Sequence, residues 1–384
     1  MESAIGKMES ATGKKVLVSG ASIAGLATAY WLHKLGYHVT VVELAAEPRR
    51  GGAAVDVRGT ALASARQMGI LAQLKAHRVQ MERLEFKNAE DVTEGALQLQ
   101  REETPVADED LESLEIEREQ LVDILLAALP HEVDFLFNDR ITALRETAEA
   151  MHVTFGQGAA RAFDLVVGCD GLHSGVRQLW FGPEADYSHF LGHYFWLTIV
   201  PQALVAPNTG QLYNTPGKGV MLSTYHGRTD IKFWFFSEQE LSYDYRNTAQ
   251  QRALLAEQFA DQGWRTAELL AAVGQAPVAY FDKFAQIKMP AWTKGRVALV
   301  GDAGYCASPA AGIGASLALG GAAALAEALA THNGTLDAAF PAYHDAFRPF
   351  VEAVQASALG RLDTFIVPKT AAAIQARNTQ GAPA

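Results

Sequence analysis

One short stretch constrains this chain more than any other: Gly20-Ala21-Ser22-Ile23-Ala24-Gly25. A strand-like apolar run, Lys15-Val16-Leu17-Val18-Ser19, precedes it, and a helix-like run, Leu26-Ala27-Thr28-Ala29-Tyr30-Trp31-Leu32, follows. A second β-rich run, Val39-Thr40-Val41-Val42, ends in Glu43. Strand, glycine turn, helix, strand and an acid roughly 20 residues on form the fingerprint of a dinucleotide-binding fold. Gly20 permits the tight turn, and Gly25 lets helix and strand pack closely. The helix N-terminus offers free N–H groups and a positive dipole end to a pyrophosphate. Glu43 can accept hydrogen bonds from a ribose diol. Ser22 occupies the place of the usual second glycine, and its small side chain still lets backbone approach phosphate. Ala24 breaks the Gly-x-Ser-x-Gly pattern of a hydrolase nucleophile elbow, which leaves an α/β-hydrolase as a distant rival.

The 384 residues suffice for two structural regions around a large core. A net charge of −11 argues against nucleic acid and anionic membrane surfaces as partners. No apolar run reaches the ~20 residues of a membrane span. Residues 1–14 are polar and near-duplicated, and they read as a disordered lead-in without a signal peptide's apolar core. Two cysteines cannot make a disulfide framework. A cytoplasmic, monomeric protein is the expectation.

The alternation of types implies an α/β chain with an insertion. Residues 60–76 have helical periodicity, and Glu119 to Leu129 form an amphipathic helix stopped by Pro130. Strands are expected near 133–137, 141–146 and 151–155, and Phe163-Asp164-Leu165-Val166-Val167-Gly168 reads as a buried strand. Between about 180 and 284 aromatic residues cluster, and alternation suggests an antiparallel sheet with helices over 248–273 outside it. The chain then returns to a buried strand, Gly295 to Asp302, an Ala/Leu/Gly-rich helix over 314–331, and a long helical C-terminus. The expected division is 15–179 with 285–345 for the dinucleotide half, 180–284 for the inserted sheet, and 346–384 for the C-terminal helix.

Two more segments join the first. Asp170-Gly171-Leu172-His173-Ser174-Gly175-Val176-Arg177 and Gly301-Asp302 each put an acid at the C-terminal end of a sheet strand, where open α/β sheets bind ligands. Each alone is an ordinary turn. The three in this order resemble the flavoprotein aromatic hydroxylases, the group that includes para-hydroxybenzoate hydroxylase, over essentially the whole chain. The resemblance implies a Rossmann-like FAD-binding domain with an inserted antiparallel-sheet substrate domain and a long C-terminal helix. It implies that the first motif and Glu43 hold the ADP half of FAD. Asp170 and Arg177 would organise the FAD and NAD(P)H sites, Gly301 and Asp302 would hold the ribityl chain, and Arg118 would approach the ribityl–phosphate region. The wording of Arg50 to Gly59, which includes Arg58, and of Phe284 to Met289 is most similar to the subgroup containing tetracycline-inactivating monooxygenases.

The loop after Asp302 departs from the family. Tyr305 replaces a His, Ile313 a Gln and Ser316 an Asn, while Pro309, Gly312 and Gly314 remain, followed by Ala315. By resemblance these bring backbone N–H groups and a helix end to the flavin's O2/N1 edge, where the dipole stabilises negative charge. There is no second glycine-rich βαβ unit, so NADPH or NADH would bind transiently as reductant. The implied reaction is hydroxylation of a phenolic or polyketide substrate with O2 through a flavin C4a-hydroperoxide, with tetracycline inactivation as the specific activity expected. No residue is assigned as catalytic, because the chemistry is flavin-borne. Phe195, Tyr213 and Phe235 are the substrate contacts expected from the aromatic sheet. Hydroxylation of another aromatic metabolite and a non-catalytic dinucleotide sensor stay open. His189 and His193 could share a helix face, but no acid lies beside them and no metal is expected. Cys169 and Cys306 read as buried small hydrophobes rather than redox groups.

Overall fold

A computed structural model describes residues 11–48, 51–99, 111–244, 246–276 and 279–380. The opening strand Lys15–Ser19, the helix Ile23–Leu35 and the strand His38–Glu43 form the expected βαβ unit. They lie within a six-stranded sheet ordered Thr293–Lys294, Val297–Leu299, Leu165–Gly168, Lys15–Ser19, His38–Glu43, Asp134–Phe137. All its pairs are parallel except the short edge pair. Val16, Leu17 and Val18 are all inaccessible, as a parallel sheet covered on both faces requires. The strands therefore have no polar face, and only their C-terminal ends are free for chemistry.

A second sheet has seven strands, ordered Ala279–Ile287, Ser188–Val200, Arg228–Phe236, Lys218–Tyr225, Thr209–Thr215, Arg83–Lys87, Thr93–Gln98. It is antiparallel apart from the pairing of 209–213 with 83–87. Strands from before residue 100 thus complete a sheet otherwise made by the inserted region. Helices Thr248–Phe259 and Thr266–Gln275 cover one face of it. Two small three-stranded sheets complete the strands, and Ala54–Arg58 with Ser113–Glu117 belongs to one of them.

The helix over 60–76 is split into Thr60–Gln67 and Leu71–Ala76, with Gly69 at φ +75° between them. Helix Gly314–Thr331 is apolar and long enough to cross a membrane, but 67% of it is buried against its neighbours in the fold. The C-terminal helix is likewise interrupted: Leu336–Arg361 passes into a π-helical turn, Leu362–Ile366, and a separate helix, Ala371–Gln380, follows. Pro368 disfavours helical backbone at Val367, which is at φ −135° and ψ 66°, whereas Pro341 and Pro349 are accommodated inside Leu336–Arg361. The last helix docks on the large sheet. Arg377 is buried, donates to Asn214 Oδ1 (2.8 Å) and Phe365 O (2.7 Å), and lies over the Phe86 ring. Asn378 donates to Glu94 Oε2 (3.0 Å).

Candidate functional site

The glycine turn is as tight as its sequence demands. A β-carbon on Gly25 would lie 1.8 Å from Gly20 O, and one on Gly20, at φ +104°, would lie 2.6 Å from Cys169 O. The helix that follows has no acidic residue in its first turn, and Ser22 makes no side-chain cap. Yet a cation approaches this positive end: Arg118 donates to Ser22 Oγ (2.6 Å) and to Gly51 O (3.0 Å). A guanidinium beside a helix N-terminus is electrostatically unfavourable unless an anion lies between them. A pyrophosphate meets that requirement. Glu43 ends the neighbouring strand and accepts from the N–H groups of Ala21 (2.8 Å) and Ala45 (2.9 Å). A carboxylate has lone pairs left for a ribose diol after two such bonds. Ala24 is buried, and a β-carbon on Gly301 would come within 3.0 Å of its own. The first and third motifs are therefore packed directly together.

From Gly301 to Ala322 nearly every residue is buried. The exposed exceptions are Asp302, Pro309 and Gly314, with Gly312 half-buried and Ala315 buried. A row of open points inside a core segment marks the wall of a deep cleft. The surrounding protein raises the Asp302 carboxyl above the ordinary aspartate range by desolvation. Gly314 opens an 18-residue helix that has no side-chain cap and no acid in its first turn. Ser308, at φ +77° and ψ 148°, holds a conformation that costs about 1–3 kcal/mol for a non-glycine residue and persists where structure over-determines it. The donor set fits FAD: free N–H groups at two helix ends, a guanidinium at one, and a carboxylate for hydroxyls at each half.

The family's replaced residues all turn inward. Tyr305 is buried, its hydroxyl 3.0 Å from that of Tyr343, and a β-carbon on Gly321 would lie 1.8 Å from it. Ile313 is buried as well. Ser316 Oγ accepts from the Arg58 N–H (3.0 Å) and donates to Asp56 O (2.9 Å), which ties strand Ala54–Arg58 to the helix. Arg58 pairs with Asp56, and its Nε is buried without a partner among the described residues. Arg50 lies outside the described residues.

Asp170 accepts from Ser174 Oγ (2.5 Å) and the Val176 N–H (3.1 Å), so its carboxylate organises its own loop. Arg177 is wholly buried. It donates to Ala303 O (2.9 Å), Leu172 O (2.5 Å) and Glu184 Oε2 (3.1 Å), and it acts as a strut between loops. Cys169 and Cys306 are buried, and desolvation pushes both thiols up. His189 and His193 lie on strand Ser188–Val200, not a helix, and His193 Nδ1 is 2.8 Å from Leu191 O.

The large sheet divides the aromatic candidates. Phe235 and Tyr213 lie on the face covered by helices and belong to its apolar core, so they have no open surface for a ligand. Phe195 points the other way and packs with Trp234 against the core of the dinucleotide half. Along strand Arg228–Phe236 the half-buried residues are Arg228, Lys232, Trp234 and Phe236. Lys232 is paired in register with Leu197 and Met221, which are also half-buried. These mid-sheet residues on the face opposite the helices are only partly covered. The sheet's edge strand is bonded directly to the segment after Asp302: Ile287 N–H donates to Cys306 O (3.0 Å), and Gln286 Nε2 to Ala307 O (3.3 Å). The sequence expectation singles out Phe195, Tyr213 and Phe235 and does not single out Leu197, Met221, Lys232 or Trp234. Their signal was the strand's parity, which is masked because apolar residues occupy both parities from 233 to 236.

The family described as FAD binding domain matches residues 14–358. A Mycobacterium tuberculosis protein described as uncharacterized is 41% identical over 88% of this chain and 91% of its own length. A flavin-dependent monooxygenase of Legionella longbeachae is 34% identical over 92% of this chain and 90% of its own. Among solved structures, the tetracycline destructase Tet(55) superposes with a TM-score of 0.84 at 35% identity, covering 97% of this chain and 95% of that one. With a guanidinium-bridged glycine turn and an open Asp302 turn, this chain belongs to the FAD-binding family of flavin-dependent monooxygenases.

Proposed function

We propose that the chain uses NADPH or NADH and O2 to hydroxylate a fused-ring phenolic or polyketide substrate, with tetracycline the leading specific candidate. The observation that carries this reading is the half-buried set Phe195, Leu197, Met221, Lys232 and Trp234 on the sheet face opposite the helices, in a sheet whose edge strand bonds to the segment after Asp302. Aromatic and aliphatic side chains suit flat rings, while the Lys232 ammonium is held by the buried Asp230 at 3.6 Å. The likeness to a tetracycline destructase supports the same substrate class.

FAD, when bound, supplies the activation of O2 that inserts one oxygen atom into the substrate. Gly20, Ser22 and Gly25 would take the pyrophosphate with Arg118, and Glu43 would hold the adenosine ribose. Asp302 would hold the ribityl hydroxyls, and the backbone around Pro309, Gly312 and Gly314 would face the pyrimidine edge of the ring system. The uncapped N-terminus at Gly314 would stabilise negative charge there. The sheet wall would orient the substrate and exclude water from the cleft. On this reading 15–179 with 285–345 is the cofactor half and 180–284 the substrate half, extended by strands 83–98.

The test is aerobic turnover with tetracycline and NADPH, read by loss of drug absorbance and by mass spectrometry. A product 16 mass units heavier, with drug-stimulated NADPH oxidation, is expected. Unstimulated NADPH oxidation and no oxygenated drug would remove tetracycline. Oxygenation of simpler phenols in the same panel would then assign another aromatic metabolite.

A further inference from the structure

His173 belongs to the second motif, yet neither cofactor binding nor the wall uses it. Its ring is held at both ends. Nδ1 lies 3.1 and 3.0 Å from the two oxygens of Glu184, and Nε2 lies 3.4 Å from Asp282 Oδ2. A neutral imidazole carries one N–H, so it can donate at only one of these ends. Two carboxylates on opposite nitrogens call for the doubly protonated ring.

Both carboxylates lead elsewhere. Asp282 is buried in the large sheet's edge strand and also accepts from Tyr280 (2.9 Å), Tyr243 (3.4 Å) and its neighbour's N–H at Lys283 (2.8 Å). Glu184 also accepts from Arg177, which in turn donates to Ala303 O, one residue beyond Asp302. An unbroken line of polar contacts, an ion pair at Asp282 and hydrogen bonds beyond it, thus runs from the large sheet through His173, Glu184 and Arg177 to the Asp302 turn. We propose that His173, as an imidazolium, is a positioning residue that clasps the large sheet to the Asp302 turn and so fixes the flavin-binding half of that turn relative to the substrate wall. The proposal rests on the placement of FAD at Asp302 given above.

The charged and titratable groups around the ring are Glu184 and Arg177 on one side, Asp282, Lys283, Tyr280 and Tyr243 on the other, and Asp170 on its own loop. Lys283 is bound by Glu240, so its charge is largely spoken for. Hydrogen bonds to Asp282 and then Glu184 raise the imidazolium to about 9. Because the value is raised in the folded protein, the clasp is intact below it and is lost as pH rises through it.

The test measures FAD affinity by flavin fluorescence between pH 7.5 and 9.8 on the reconstituted protein, with circular dichroism as a check on folding. The parent's affinity is expected to fall about tenfold through a step near pH 9, the loss of one charge-assisted clasp. His173→Gln should bind about tenfold more weakly at pH 7.5 and show no step. Glu184→Gln removes one of the two carboxylates, so its step should move to lower pH. A parent profile with no step, a step of equal size in His173→Gln, or an unmoved step in Glu184→Gln would each overturn the proposal. Glu43→Ala and Asp302→Ala separate the two readings. If neither weakens FAD binding at any pH, the placement of FAD falls; if both do and the parent profile is flat, only the role of His173 falls.

Discussion

The six-stranded parallel sheet and the seven-stranded sheet are made of comparably apolar strands, but they expose function at different places. In the parallel sheet both faces are covered, and chemistry is confined to the turns after Ser19, Glu43, Gly168 and Leu299. Those turns are contiguous in sequence, so each is a short word that can be recognised by itself. In the large sheet one face is closed by helices and the other is left half-open. On the proposed reading its ligand surface is every second residue of several strands, and no two of those residues are adjacent in sequence. Turn sites are therefore specified by backbone geometry, and wall sites by register.

This contrast can be broken most severely at Gly25. A β-carbon 1.8 Å from Gly20 O cannot be accommodated by side-chain motion, since both atoms are set by backbone. Gly25→Val is expected to abolish FAD retention, scored as the absence of flavin absorbance after purification. Full flavin occupancy would show that the turn is not rigid. Next is Phe235→Ala, which removes a ring with 1% exposure from the covered face. A loss of about 3–5 kcal/mol is expected, measured by denaturant unfolding. An unchanged midpoint together with a raised KM would mean that the two faces have been exchanged.

Glu43→Ala is third. It removes a charged acceptor worth roughly 1.5–3 kcal/mol, or about ten- to a hundredfold in FAD affinity, with little change in KM for the substrate. A flavin-release titration that matches the parent would contradict the assignment. The smallest effect is expected at Trp234→Ala on the open face. Losing one aromatic contact there should raise KM severalfold, about 1 kcal/mol, while FAD affinity holds. If Trp234→Ala lowers stability as much as Phe235→Ala and leaves KM unchanged, the face is core and the wall lies elsewhere.

The same contrast explains what could be read from the chain. Glu43 and Asp302 were legible because each follows a buried strand at a glycine turn, and the strand–turn grammar fixes where the side chain lies. Arg118 was legible only through resemblance; nothing local says that its guanidinium crosses to Ser22, 96 residues away. The aromatic pattern points to Tyr213 and Phe235 as readily as to Trp234, because both parities of the strand are aromatic from 233 to 236 and hydrophobicity does not tell which face a helix covers. Arg177 was expected at the cofactor, yet burial and three acceptors make it a strut. The interruption of the C-terminal helix near Pro368 was not legible from proline alone, because Pro341 and Pro349 sit inside the uninterrupted helix Leu336–Arg361.

The docking of Arg377 and Asn378 has a consequence for how this protein is made. Asn378 meets Glu94 across a separation of 284 residues, and Arg377 meets Asn214 across 163. Contacts so distant in sequence form late. During synthesis the glycine turn and its strands emerge early, so that part can begin to assemble while the ribosome is still working. The edge strand at 93–98 must wait, with its carboxylate at Glu94 unpaired, until residues 377–378 have left the ribosome. A nascent chain stalled before that point would hold all seven strands but lack the helix that packs on 93–98, and such an uncovered edge invites pairing with other chains. The last turn of helix is therefore a seal on biosynthesis, and chains cut short before it should be found preferentially with chaperones or in aggregates.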